Sequence, residues 1–149
     1  MSTLLSIAKR NAVLSRMATL LEEERASLKS SNQQDLDNYS GADLAMEKRL
    51  LVDDAKIDGM ILSMQQLASQ EDPIGVERFH FVHEKGMKIT NKTAAFGTVM
   101  IIYESRPDVT VEAGGIAFKS GNKILLKGGK ESLLSNLKIV ELWHQALKE

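Results

Sequence analysis

Two short apolar runs, Val99-Met100-Ile101-Ile102-Tyr103 and Ile124-Leu125-Leu126, constrain this chain more than any other feature. Each is continuous rather than alternating, which is the pattern of a strand covered on both faces. Between them, Thr110 to Lys119 is compatible with a helix, although Gly114-Gly115 weakens it, and Ser120-Gly121-Asn122 stops it. Lys123 to Lys127 carries the second run. Gly128-Gly129 turns the chain, and Glu131 to Lys148 has helical spacing through Leu134, Leu137, Val140 and Leu147. Parallel strands need a crossover, so strand, helix, strand, helix reads as the opening of a doubly wound sheet. Two strands do not complete one. Their unpaired edges predict self-association or marginal stability of the isolated chain.

The first half reads differently. Leu4, Ile7, Leu14, Met17, Leu21 and Leu28 recur at spacings of three, four and seven, with Arg10, Arg16, Glu22 to Glu24 and Lys29 between them. This predicts one amphipathic helix of about eight turns ending near Ser30-Ser31-Asn32. A polar stretch, Asn32 to Gly41, follows. Ser40 and Asp43 offer a capping start for a short helix through Leu51, and Asp53 caps another through Ile57, Ile61, Met64, Leu67 and Ala68. Pro73 and Gly75 break the pattern. From Val76 the period becomes two: Phe79 and Phe81, then Met87 and Ile89, flank Glu84-Lys85-Gly86 as an antiparallel hairpin. His80 and His83 point to opposite faces of such a strand, so a shared metal is not expected.

Composition excludes more than it selects. At 149 residues, 43% hydrophobic and 26% charged, the chain has the makings of one ordinary globular domain. A net charge of -1 supplies no global attraction to nucleic acid or an anionic membrane. No apolar run approaches the roughly 20 residues of a spanning helix, and Met1 to Arg10 lacks the pattern of a signal peptide. There is no cysteine, hence no disulfide, thiolate metal site or cysteine nucleophile in these residues.

Chemistry has two places to sit. Lys119 to Lys130 holds four lysines and no acid, and Lys127, Gly128, Gly129 and Lys130 lie where the second strand gives way to a helix. Ligands collect at the carboxyl ends of strands in open α/β sheets. Glycines admit phosphate to the backbone, a helix N-terminus adds partial positive charge, and lysine adds a full one. The segment matches neither common phosphate-loop spacing, so a solvated basic turn stays open as the alternative. The second place is Tyr103-Glu-Ser-Arg-Pro-Asp108, at the end of the first strand. Arg106 can clamp a carboxylate or phosphate, whereas Ser105 has no adjacent base. A plain strand-to-helix turn explains the same residues. Both places would face one edge of the sheet.

At these residues the chain resembles the gamma-glutamyl phosphate reductase family of the aldehyde dehydrogenase superfamily. The resemblance rests on Ile102-Tyr-Glu-Ser-Arg-Pro-Asp-Val-Thr110, Lys119-Ser-Gly-Asn122 and Lys127-Gly-Gly-Lys-Glu131. It extends back through Asn32 with Asp35-Leu36, Arg49 to Asp53 with Ile57 to Met60, and Asp72-Pro-Ile-Gly75. It covers essentially the whole chain in order. It implies reduction of L-glutamate 5-phosphate to L-glutamate 5-semialdehyde by NADPH, a step of proline biosynthesis, in a cytoplasmic homo-oligomer. In that family a cysteine displaces the phosphate and hydride reduces the thioester; a thiolate suits both tasks.

The resemblance also implies roles. Lys127, Gly128, Gly129, Lys130 and Glu131 would hold the adenosine side of the cofactor, with Lys130 on the 2′-phosphate and Glu131 beside the ribose. Ser105, Arg106, Pro107 and Asp108 would line the substrate edge. The implied fold is α/β: N-terminal helices and a hairpin (1–95), then the first strand-helix-strand-helix of an incomplete doubly wound, aldehyde dehydrogenase-like NADP domain (96–149), without the cysteine domain. Such a chain reads as an N-terminal part, inactive alone. Two other readings are kept: a non-catalytic NADP(H)- or nucleotide-binding module, and an interaction protein docking through its open sheet edge. Departures from the pattern are Asp108 in place of Asn, Ala95-Phe96-Gly97 in place of Pro-Leu-Gly, and Gly114-Gly115 in place of small alanines.

Overall fold

The computed structural model describes residues 5–148; Leu4, at the head of the first apolar stripe, lies outside them. Ser6 caps helix α1 (Ile7–Glu23) by accepting from the Lys9 amide at 3.3 Å. The expected single long helix is two. Glu24, at φ -101 and ψ 15, breaks it, and α2 (Arg25–Asn38) continues well past the expected end. The seven-residue step from Leu21 to Leu28 hides this bend, because both leucines stay fully buried on either side of it. Residues 32–38 are helix rather than polar linker. Asn32 and Asp35 face inward, where hydrogen bonds rather than apolar contact repay their burial.

Asp43 caps α3 (Leu44–Leu50) and Asp53 caps α4 (Asp54–Ser69), each through its side chain as expected. The hairpin β1 (Glu77–Val82) and β2 (Lys88–Lys92) turns at Gly86, whose φ of 83 suits glycine. Strands β3 (Thr98–Ile102) and β4 (Lys123–Lys127) pair in parallel, with Val99 opposite Ile124 and Ile101 opposite Leu126. Helix α5 (Pro107–Lys119) crosses between them and α6 (Leu133–Ala146) follows.

Three expectations need correction. First, β3 and β4 are covered on one face only among the described residues. Val99 and Ile101 line a groove against Val109, Ala113 and Ile116 of α5, while Met100, Ile102 and Leu125 on the opposite face are more than half exposed. Second, the core stripe of α6 is Ser135, Ile139, Leu142, Trp143 and Ala146, whereas Leu137 and Leu147 are exposed. This helix carries two apolar stripes, and the one containing a serine is the one that packs. Third, the weakening expected of Gly114-Gly115 has a compensation, and α5 runs through the pair. A Cβ on Gly114 would lie 3.0 Å from Trp143 Nε1, and one on Gly115 would lie 2.9 Å from Leu67 Cδ1. The two glycines let α5 approach α6 and α4 closely. The helix-propensity cost of about 1 kcal/mol each is offset by that packing.

Leu14, Met17, Leu21, Leu28, Ile57 and Met64 share one apolar core with Val111, Ile139 and Leu142, so the core runs across residue 95. Arg10, expected on the polar side of α1, is 2% exposed. It pairs with Asp72 at 2.6 Å, and also donates to the carbonyls of Leu5 and Lys119. Lys119 is buried too, donating to Asn11 Oδ1 and the Gln70 carbonyl, both at 2.7 Å. The Arg10 guanidinium holds the Asp72 carboxyl below the usual range, while burial pushes the Lys119 ammonium down. These bonds tie the start of α1, the break after α4 and the end of α5 into one knot. Replacing Arg10 with Met leaves the buried Lys119 carbonyl without its guanidinium and Asp72 with only the Ile74 amide and water. A loss of about 3 kcal/mol of unfolding free energy is expected in urea denaturation; a loss below about 0.5 kcal/mol would leave the knot without a stabilising role.

Candidate functional site

The parallel pairing of β3 with β4 brings both candidate segments to one edge. The Tyr103 amide donates to the Lys127 carbonyl at 3.1 Å, just past the last paired residues. From there Tyr103 to Arg106 crosses to α5, which Pro107 opens in its first turn, and Gly128-Gly129 crosses to a 3-10 turn at Lys130–Ser132. The crossings touch. Ser105, 1% exposed, donates from Oγ to Glu131 Oε2 at 2.8 Å. Gly129 leaves no space for a side chain: a Cβ there would lie 2.9 Å from Glu131 Oε2 and 3.2 Å from the Ser105 amide nitrogen. A Cβ on Gly128 would meet Asn136 Nδ2 at 2.5 Å and the Tyr103 ring at 3.1 Å. The glycines therefore serve close packing of protein on protein.

A hydroxyl relay stiffens the same loop. Thr110 Oγ1 donates to Asn136 Oδ1 at 2.7 Å, which leaves the Tyr103 hydroxyl to donate to Thr110 at 2.6 Å. Asn136 Nδ2 donates to Ser132 Oγ at 2.9 Å, and Ser132 donates to the Gly129 carbonyl at 3.3 Å. Burial pushes the Tyr103 phenol up, so it remains a donor at neutral pH. Sequence reasoning missed Thr110 and Asn136, whose polarity on packed helix faces was the available signal.

Charges at this edge are unevenly engaged. Arg106 pairs with Asp108 at 2.8 Å, so the expected anion clamp already holds a carboxylate. Asp108 keeps its Oδ1 buried with no hydrogen-bond partner among the described residues. Its hydrogen bond raises Arg106 further above the ordinary guanidinium range. Lys56 of α4, absent from the sequence-based set, is coupled to both: burial pushes its ammonium down, Asp108 acts against that, and Arg106 reinforces it. Lys127 and Lys130 are exposed and hold no carboxylate at ion-pair distance among the described residues, although the charge of Lys130 acts on Glu131. The α6 N-terminus, expected to offer amides to a phosphate, has two of them occupied: Leu134 and Ser135 donate to the Asp35 carboxylate at 3.0 and 2.8 Å. Positive charge for a ligand here comes from the lysines. Lys130 opens onto a cleft of about 520 Å³ shared with Glu131, Asp35, Tyr39, Ser40 and Gly41.

The chain is 36% identical to the gamma-glutamyl phosphate reductase of Hydrogenobaculum sp. over 147 residues, 97% of this chain and 33% of that protein. It is 39% identical to the gamma-glutamyl phosphate reductase of Persephonella marina, over 94% of this chain and 32% of that protein. The crystal structure of the gamma-glutamyl phosphate reductase of Thermotoga maritima superposes with a TM-score of 0.91 at 36% identity, covering 97% of this chain and 35% of the other. An NAD-dependent benzaldehyde dehydrogenase of Corynebacterium glutamicum shares the fold, with a TM-score of 0.76 at 16% identity over 95% of this chain and 29% of that one. No family model matches the chain. The chain spans about a third of the length of the curated relatives it matches.

Glu131 gives the edge a pH dependence. Its own backbone N–H and Ser105 Oγ hold the carboxyl below its ordinary range. A depressed folded-state value means that the unfolded chain binds the proton more readily. The stabilisation is therefore complete above the ordinary carboxylate range and is lost as pH falls through the folded value. Thermal midpoints at about pH 7 and about pH 3 are expected to differ less in Glu131→Gln than in the parent chain; an unchanged difference would remove the Ser105–Glu131 contact from the acid response.

Proposed function

We propose, from the correspondence of this chain in sequence and fold to the N-terminal third of gamma-glutamyl phosphate reductases, that it serves the NADPH-dependent reduction of L-glutamate 5-phosphate to L-glutamate 5-semialdehyde. The observation that carries the reading is the Ser105–Glu131 hydrogen bond, which joins residues 103–108 to residues 127–131 at one sheet edge and so supports a substrate edge beside a cofactor segment. Residues from 96 onward form the first part of the cofactor domain. Two of the fold's relatives are described in complex with a nicotinamide dinucleotide, in line with such a cofactor here.

The residues present fit part of that cofactor. Lys130 is exposed and opens onto the cleft, which suits a phosphomonoester, and it takes the 2′-phosphate; Lys127 is exposed at the end of β4 just before it. The α6 N-terminus, occupied by Asp35, does not suit the pyrophosphate. When bound, the cofactor supplies hydride. Gly128 and Gly129 keep the loop tight against Tyr103 and Ser105, and Glu131 orients it from the Ser105 side. At the substrate edge, Pro107 fixes the start of α5, Arg106 meets the negative charge of the acyl phosphate, and Asp108 tempers that charge through its ion pair. The nucleophile is not among these 149 residues, which contain no cysteine. The working enzyme is a cytoplasmic homo-oligomer to which the exposed hairpin β1–β2 contributes contacts. No described helix is long and apolar enough to cross a membrane. The exposed Met100, Ile102 and Leu125 favour one further reading, a docking role for the open face of β3–β4.

The test is a fluorescence titration of the chain with NADPH and, in parallel, NADH. Lys130→Ala is expected to weaken NADPH about tenfold while changing NADH less than about twofold, because only the former carries the extra phosphate. Raising ionic strength is expected to narrow the gap between the two cofactors. Equal losses for both would sink the 2′-phosphate assignment.

A further inference from the structure

Asp35 is 3% exposed, sits on α2, and touches a helix about a hundred residues away in sequence. Its Oδ1 accepts from the Leu134 amide at 3.0 Å; its Oδ2 accepts from the Ser135 amide at 2.8 Å and from Ser135 Oγ at 2.6 Å. Ser135 Oγ in turn accepts from Asn32 Nδ2 at 3.1 Å. Asn32, 1% exposed, also donates to the Leu50 carbonyl at 2.9 Å and accepts from the Val52 amide at 2.7 Å. One turn of α2 thus holds the end of α3, the start of the α4 cap and the first turn of α6. Helix capping is ordinarily local. Here a carboxylate from another helix does it, in a place where helix polarity favours negative charge.

Just upstream of the clamped amides lies the 3-10 turn that begins with Lys130. The turn is held by Ser132 on the Gly129 carbonyl at 3.3 Å, by the Ser105–Glu131 bond, and by Asn136 Nδ2 on Ser132 Oγ at 2.9 Å, Asn136 itself belonging to the first turn of α6. Asp35 also lines the cleft onto which Lys130 and Glu131 open. We propose that Asp35 is a positioning residue for cofactor recognition: by fixing the first turn of α6 from α2, it fixes where the Lys130 ammonium stands. The inference rests on the reading of Lys130 as the 2′-phosphate contact. It adds that discrimination between NADPH and NADH depends on a residue that touches neither.

The experiment is a double-mutant cycle on the full chain, with NADPH and NADH affinities and thermal midpoints measured for the parent, Lys130→Ala, Asp35→Ala and the double variant. Asp35→Ala is expected to lose about tenfold in NADPH affinity with NADH changed less than about twofold, and Lys130→Ala to cost little more once Asp35 is gone. Ser135→Ala, which removes one of three donors and spares the amides, is the gentler variant; about a threefold loss confined to NADPH is expected. Asp35→Asn, which keeps an acceptor for one amide, is expected to recover part of the loss. A lowered thermal midpoint with an unchanged NADPH-to-NADH ratio in both Asp35→Ala and Ser135→Ala would overturn the proposal while leaving Lys130 in its role. Additive losses would also overturn it. A parent chain that shows no preference for NADPH would overturn the Lys130 reading, and this proposal with it.

Discussion

A helix end needs partners for its free amides, and the way α6 meets that need organises the rest of the molecule. Asp35 supplies the acceptor from α2, so the geometry of the α1–α2 layer is transmitted directly to the loop that ends β4. The bend at Glu24 belongs to the same arrangement. It keeps Leu28 in the core while the next turns bring Asn32 and Asp35 under α6. Burying two polar side chains side by side is costly unless each is well supplied with hydrogen bonds. Here Asn32 and Asp35 make three each, to backbone and to the Ser135 hydroxyl.

Electrostatics at the sheet edge follow from what is already spent. Arg106 is matched by Asp108, Arg49 by Glu104, and Glu131 is taken up by Ser105 and its own amide. Among the described residues of this edge, the positive charge least engaged is that of Lys127 and Lys130, both exposed to water. Point charges of that kind favour phosphate without demanding one orientation, and the tight glycine loop beneath them supplies the order that the lysines lack.

Much of this was legible in the sequence. The crossover between two continuous apolar runs requires a parallel pair, and a parallel pair requires that residues 103–108 and 127–131 share an edge. Caps at Asp43 and Asp53, the turn at Gly86 and the stop at Ser120-Gly121-Asn122 are local chemistry and were readable as such. What escaped were residues whose partners lie far along the chain. Arg10 stands three residues after Ile7 and four before Leu14, on the apolar stripe itself, but its charge argues for solvent; it is buried against Asp72 and Lys119. Asn32 and Asp35 look like linker composition until α6 is placed against them. The α6 stripe was misread because Ser135 carries no apolar weight. Continuous apolar strands imply two covered faces, but coverage is a property of neighbours, and the described residues supply it on one side only.

The Gly114-Gly115 step sets a tolerance on evolution of the sheet edge. These positions sit mid-helix, away from every residue assigned to ligand, and a single methyl at either would press on Trp143 or on Met64 and Leu67. Helix α5 carries Pro107 and Asp108 at one end and Thr110 in the hydroxyl relay, so widening either seam displaces them together. Sequence drift at this pair is thereby tied to compensating change on α4 and α6. A side chain at either position requires room on α4 or α6, so the seams of three helices set the placement of the sheet-edge residues from a distance.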